Sequence, residues 1–278
     1  MTASLNAPFL DVQGIGFGYR PGHPIFTELS FTLERGELFT ILGPNGAGKS
    51  TLLNCVTAVR PAQHGRIVLE GAEVAELAPR VRARKIAYVP QTSTVSYAYT
   101  VLDYVLMGRA PHLNLMQQPS DADRALAHDA LELLGIGDLA GRPCTEISGG
   151  QRQLASIAKA VVQDPELIVF DEPTAALDHG NQTRVLQLLS DLSRRGFGII
   201  STTHNPNHAI LLGGSAGILT RSGRFHTGPV AEVIREDLLS QVYETDLRVV
   251  HVEQLGRAVC ETPALPRSEP TMKGRALR

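Results

Sequence analysis

Leu38-Phe39-Thr40-Ile41-Leu42-Gly43-Pro44-Asn45-Gly46-Ala47-Gly48-Lys49-Ser50-Thr51 is the stretch that decides the fold. Its first five residues form an unbroken apolar and β-branched run, which reads as a buried strand. The residues that follow fit G-x-x-x-x-G-K-[ST]. In such a loop the glycines let the backbone wrap a phosphate closely, and N–H groups point inward at the positive end of the next helix. Lys49 is then placed to contact the outer phosphates, and the Ser50 hydroxyl to ligate Mg2+. The helix is expected to begin near Lys49 and to turn Leu52, Leu53 and Val56 inward. A plain glycine-rich turn is the bland alternative, and the preceding strand together with the complete motif speaks against it.

The basic residues number 26, yet only Lys49, Lys85, Lys159 and Lys273 are lysines. A chain that otherwise chooses arginine has a compact ammonium where phosphate chemistry wants one. The 278 residues suffice for one large domain or two modest ones. A formal charge of −2 and a pI near 6.5 predict no attraction to nucleic acid or anionic lipid. No apolar run is long enough to span a bilayer, and residues 1–10 lack the pattern of a secretory signal. Cys55, Cys144 and Cys260 are odd in number and far apart, which suits reduced thiols better than a disulfide framework.

Outward from the loop, strands are expected over 10–19, 31–33, 66–69 and 86–89. From 100 to 141 the pattern turns helical, with Leu102, Val105 and Leu106 on one side. A break over 111–119 follows, and Ser120 or Asp121 is the next N-cap. This stretch reads as a helical insert. The continuous apolar or β-branched runs at 167–170 and 198–203 read as strands covered on both faces, hence a parallel sheet with helices on either side. Beyond Tyr243 the signal weakens, and the proline-rich residues from 262 read as a disordered tail.

Two further stations carry chemistry. Asp171-Glu172 ends a buried strand, where paired acids are expensive unless something positive sits beside them. Asp171 fits the carboxylate of a Mg2+ shell, and Glu172 the group that polarises an attacking water. Ile147-Ser148-Gly149-Gly150-Gln151 opens a second helix. Ser148 and Gln151 alone make a capping box, but a cap does not need two glycines.

Together these elements resemble the ATP-binding cassette (ABC) family, whose ATP sites are shared between two subunits. The resemblance covers roughly 10–228 and includes weaker stations in family order. Tyr19 corresponds to the aromatic that stacks on adenine, and Gln91 to the glutamine that reaches Mg2+. Asp178, in Ala176-Leu177-Asp178, corresponds to the loop crossing the dimer interface, and His204 to the histidine that bonds the γ-phosphate. Ser148, Gly149, Gly150 and Gln151 resemble the signature, with Ile147 in place of the usual Leu, and would contact ATP held by the partner. His204 and His208 also suggest an i, i+4 metal pair, but no third ligand is evident.

The resemblance implies an α/β fold: a P-loop NTPase (RecA-like) core with a parallel sheet, an antiparallel β N-terminal part and an inserted α-helical subdomain. The ABC domain would span 1–245, its core 1–95 and 145–245 and its helical subdomain 96–144, with a C-terminal extension over 246–278. One phosphate loop and one signature imply a homodimer. With no membrane span, separate polytopic permease subunits are expected, and indirectly an extracytoplasmic solute-binding protein. The place of action would be the cytoplasmic face of the membrane, peripherally.

A finer similarity, to ATPases of uptake systems for iron chelates, haem, cobalamin and molybdate, rests on three segments. These are Asp103-Tyr104-Val105-Leu106-Met107-Gly108-Arg109 with Pro111, the residues 177–182, and the residues 202–208. Gly213-Gly214-Ser215 departs from that pattern, since relatives usually carry a more polar turn there. Residues 92–100 are a candidate groove for a permease helix. An ABC exporter, a soluble ABC protein of translation or DNA repair, and a P-loop kinase are the rivals. The short basic run over 80–85 reads as a solvated helix face rather than a nucleic-acid surface.

Overall fold

The computed structural model describes residues 7–91, 98–114, 116–175 and 177–264. In chain order, β1 (Leu10–Phe17), β2 (Phe26–Leu33) and β3 (Leu38–Leu42) precede α1 (Lys49–Val56). Next come β4 (His64–Leu69), β5 (Ala72–Glu73), α2 (Pro79–Lys85) and β6 (Ile86–Val89). Then α3 (Val101–Leu106), α4 (Asp121–Leu133) and α5 (Gly149–Val162) lead to β7 (Leu167–Phe170), α6 (His179–Arg194) and β8 (Gly198–Thr203). The chain continues through α7 (Pro206–Leu212), β9 (Ser215–Leu219), β10 (Phe225–Pro229), α8 (Val230–Val233) and α9 (Glu236–Tyr243). It closes on the hairpin of β11 (Arg248–Val252) and β12 (Arg257–Glu261).

Six strands form the central sheet in the order β10-β9-β3-β8-β7-β6, all parallel except β10. Every residue of β3, β7 and β8 is buried, Thr40 and the Ser201–Thr203 end of β8 included, as expected of strands covered on both faces. A second, antiparallel sheet, β2-β1-β4-β5, packs its Leu10, Ile15, Phe26, Leu29 and Leu33 against α1 and one face of the central sheet. The other face carries α3, α4, α5 and α6, packed through Val105, Leu131, Ile157 and Leu189. The result is an α/β fold with a parallel core, an antiparallel N-terminal part and a helical layer.

β2 starts five residues earlier than its expected span because Glu28 takes a left-handed turn (φ 52°) opposite register shifts in β1, which breaks the alternation there. β1 ends at Phe17, so Tyr19 lies just beyond it. The helical insert forms as expected: Thr100 caps α3, and Ser120 caps α4 in a reciprocal box with Asp123. The basic run on α2 is exposed but not merely solvated, since Arg80 and Arg84 both donate to the Pro111 carbonyl and Lys85 bonds Glu70 and Glu166.

The segment after Tyr243 is more ordered than the sequence signal suggested. The β11–β12 hairpin docks on α7 through one amide: Asn207 donates to the Cys260 carbonyl and accepts from the Cys260 N–H, both at 2.9 Å. Residues 265–278, most of the expected tail, lie outside the described residues. So do 92–97 of the candidate permease groove. Gly213 and Gly214, with φ of 65° and 69°, turn α7 into β9, and a Cβ at 214 would sit 2.9 Å from the Leu38 carbonyl. That turn geometry favours glycine at both positions. The three cysteines are free and buried.

Candidate nucleotide site

The strand order brings the site together. β3 pairs with β8 and β8 with β7, so Leu42, Thr203 and Phe170 end at one rim, and the loops after them carry Gly43, His204 and Asp171. β6 ends alongside β7, which adds Gln91. Ligands in open α/β sheets bind at this carboxyl rim. A cleft of about 480 Å3 lies here, lined by Tyr19, Asn45, Gly48, Lys49, Gln91 and Glu172 among others.

The phosphate loop has steric reasons for its glycines. Gly46 and Gly48 take φ of 81° and 103°, and a Cβ on Gly48 would stand 2.3 Å from the Ile25 side chain. A Cβ on Gly43 would stand 2.4 Å from the Leu219 carbonyl oxygen. α1 begins at Lys49, as expected, with no side-chain cap to its orphan N–H groups. Lys49 is buried and curls back: its ammonium donates to the Gly43 carbonyl at 2.8 Å and the Pro44 carbonyl at 3.2 Å, and pairs with Glu172 at 2.9 Å.

The acid pair is held from β8. Glu172 N–H donates to the Thr202 hydroxyl (2.8 Å), which donates to Asp171 Oδ1 (2.9 Å), while the Tyr88 hydroxyl donates to Asp171 Oδ2 (3.1 Å). Asp171 is 4% exposed, and no ammonium or guanidinium pairs with it among the described residues. Glu172 takes a left-handed φ of 44°, which turns its carboxylate back between Lys49 and His204 Nδ1 (3.0 Å). Burial pushes the Glu172 carboxyl up; Lys49, then His204, more than reverse this and hold it below the usual carboxylate value.

Tyr19 is 56% exposed at the cleft mouth. Its hydroxyl bonds Thr51 at 3.2 Å, and its ring is braced by the Phe17 edge and by the Arg60 guanidinium 5.4 Å from its centroid. His208, by contrast, is a buried structural side chain: its Nδ1 meets the Thr174 and Thr203 hydroxyls, and Asn205 faces its Nε2. His208 is thus already engaged through both ring nitrogens, and among the described residues no third His, Cys, Asp or Glu joins it and His204 in a metal-binding cluster.

The structure does not bring 148–151 into this cleft. Ser148 does cap α5, accepting from Gln151 N–H, while the Gln151 side chain accepts from Ser148 N–H. A Cβ on Gly149 would meet nothing within 4 Å, and Gly149 has no positive φ. Gly150 lies near Asn181 and Leu177, so the α5 start adjoins the 177–181 loop, where Asp178 caps α6. Ala176 lies outside the described residues.

Residues 26–175, more than half of the chain, match the ABC transporter family. The chain belongs to that family. It is 34% identical to the iron(3+)-hydroxamate import ATP-binding protein FhuC of Bacillus subtilis, covering 95% of this chain and 98% of that protein. It is 37% identical to the molybdate import ATP-binding protein MolC of Haemophilus influenzae, covering 84% and 87%. A solved inward-facing ABC transporter described as metal-chelate type superposes with a TM-score of 0.81 at 32% identity, over 92% of this chain and 97% of that one. This ABC protein is therefore an ATP-binding, ATP-hydrolysing P-loop domain. Three residues that brace the cleft from behind carried no sign of that role in the sequence: Thr202, Tyr88 and Arg60. Each is an ordinary strand or loop residue until the strand order sets it beside Asp171 or Tyr19.

Proposed function

We propose that this ABC ATPase energises uptake of a metal chelate or related solute, of the iron-siderophore, haem, cobalamin or molybdate type, through separate permease subunits. It would work as a homodimer on the cytoplasmic face of the membrane, served indirectly by an extracytoplasmic binding protein. The cargo class is supported by the relatives, among them iron(3+)-hydroxamate, molybdate and hemin import ATP-binding proteins. Among the described residues no helix is long and apolar enough to cross a membrane, which fits a separate permease.

One observation carries the shared-site reading. Within one chain Gly149 needs neither a positive φ nor close packing, and the open space beside it suits an approaching phosphate. In this reading ATP lies on 43–51 of one copy, its adenine on Tyr19, and Ser148, Gly149, Gly150 and Gln151 of the other copy close over the γ-phosphate. Asp178 lies at the interface, and twofold symmetry makes two equal sites.

Oxygen donors at Ser50, Gln91 and Asp171 suit Mg2+, and the buried, unpaired Asp171 carboxylate calls for a cation nearby, with Asp171 acting through water. When bound, Mg2+ neutralises charge on the β- and γ-phosphates. Lys49 leaves Glu172 for those phosphates. Burial then acts on Glu172 with its main counterweight gone, raising its proton affinity towards that of a working base. Glu172 accepts the hydrogen of the attacking water, and His204, bonded to Glu172 through Nδ1, keeps Nε2 for the γ-phosphate.

Ser148→Arg tests the shared site. Turnover is expected to fall about 100-fold, the scale of a misplaced reacting group, with monomer ATP affinity unchanged. Normal turnover with a lower melting temperature would reduce Ser148 to its capping role. For the transport reading, the chain expressed with its own permease is expected to sediment with membranes and be released by detergent together with a polytopic protein. A chain that stays wholly in the supernatant would overturn it.

A further inference from the structure

The segment 103–111 is one of the three that resemble uptake-type ATPases. Its side chains have a mechanical job that the resemblance did not assign. Met107–His112 is a short 3-10 helix pressed onto the last turn of α5. Gly108 permits the contact, since a Cβ there would stand 2.2 Å from the Lys159 carbonyl oxygen. Arg109 Nη1 then donates to the Val162 carbonyl at 3.0 Å, and His112 Nε2 meets the Gln163 carbonyl at 2.8 Å. Both satisfy orphan acceptors at the negative end of α5.

The same guanidinium reaches a second helix end. Arg109 Nε donates to Asp123 Oδ1 at 2.8 Å, and Asp123 is the residue that closes the Ser120 capping box of α4. Both side chains are largely buried, 13% and 12% exposed. Asp123 is held down to about 2, by the Ser120 hydroxyl first and Arg109 next, so the pair stays ionised across the working pH range. From the other side Gln163 donates to the Ala83 and Ile86 carbonyls at 2.6 and 2.9 Å, which ties the same point to the sheet. Residues 162–163 are thus where the helical layer and the sheet grip one helix.

We infer that Arg109, with His112, is a positioning residue. It fixes the C-terminal end of α5 and thereby the angle at which Ser148, Gly149 and Gly150 meet the partner's nucleotide. α5 has 14 residues. At 1.5 Å per residue it is a lever of about 21 Å, so a tilt of about 5° at the clasp moves its start by nearly 2 Å. Misplacement by about 1 Å is enough to cost about 100-fold in rate. Arg109 itself is absent from the cleft lining.

This inference rests on the shared-site reading, and one experiment separates them. In the full chain carrying Glu172→Gln, the affinity of ATP-dependent dimerisation is measured with and without Arg109→Ala, alongside monomer ATP affinity and melting temperature. Arg109→Ala is expected to weaken dimerisation about tenfold and, in the parent chain, to lower turnover at least as much. ATP affinity should stay within twofold, and Arg109→Lys should restore part of the loss. If Glu172→Gln alone gives no ATP-dependent dimer, the shared-site reading falls and the inference with it. If it dimerises and Arg109→Ala changes neither dimerisation nor turnover, only the inference falls. Equal losses in ATP affinity and turnover would also overturn it. Should Arg109→Ala fail to fold, Arg109→Lys and His112→Ala, each keeping part of the clasp, decide the matter: lower turnover at unchanged ATP affinity supports positioning, and unchanged turnover overturns it.

Discussion

Glu172→Gln is expected to lower ATP turnover about 1000-fold, within the range of a lost general base, while ATP affinity holds or improves. The amide keeps the size of the carboxylate and its place beside Lys49 and His204, so the site survives; the ability to take a proton does not. ATP affinity should not fall, because in the parent chain Lys49 must leave the 2.9 Å ion pair before it serves the phosphates, and the amide releases it more readily. With hydrolysis blocked, ATP should trap the dimer for hours on a sizing column. Phosphate release within about threefold of the parent would remove Glu172 from the base role.

Lys49→Ala has the second largest expected effect, a loss of about 100-fold in ATP affinity, or about 2.7 kcal/mol. It should also shift stability, in a pH-dependent way. In the parent chain Glu172 is held below its ordinary value, so it contributes stability that is present at neutral pH and fades as pH falls through its folded pKa. Without Lys49 only His204 opposes burial, so Glu172 rises relative to the parent chain and contributes less of that stability at neutral pH, a difference that narrows on acidification. A loss of about 2 kcal/mol, roughly 4–8 °C in melting temperature, is expected at pH 7, with less near pH 5. Melting curves at the two pH values check this. An unchanged ATP affinity would take Lys49 out of the phosphate site.

The phosphate loop and the buried strands were legible because they are local: a run of five apolar or β-branched residues, then glycines at fixed offsets. The same holds for the Ser120 and Ser148 caps, whose partners lie three residues on. What was not legible depends on distant contacts. Thr202 becomes the clamp of both acids only because β8 lies between β3 and β7. The final hairpin has short strands with few buried residues, and it is held by an amide more than fifty positions earlier in the chain. Arg109 and His112 are surface-type residues by composition, and their clasp on α5 exists only once the helical layer is assembled.

The scarcity of lysine, noted first as a preference at the phosphate loop, also has a practical meaning for chemical labelling. Of the three lysines among the described residues, Lys49 is buried beneath the loop, Lys85 is held by Glu70 and Glu166, and Lys159 lies 4.6 Å from the Tyr104 ring centroid. An acylating reagent that consumes free amines and ignores guanidinium therefore meets few targets among the described residues. Against that background the acylation rate at Lys49 becomes a direct gauge of nucleotide occupancy, readable by mass spectrometry without a fluorescent probe or an engineered residue.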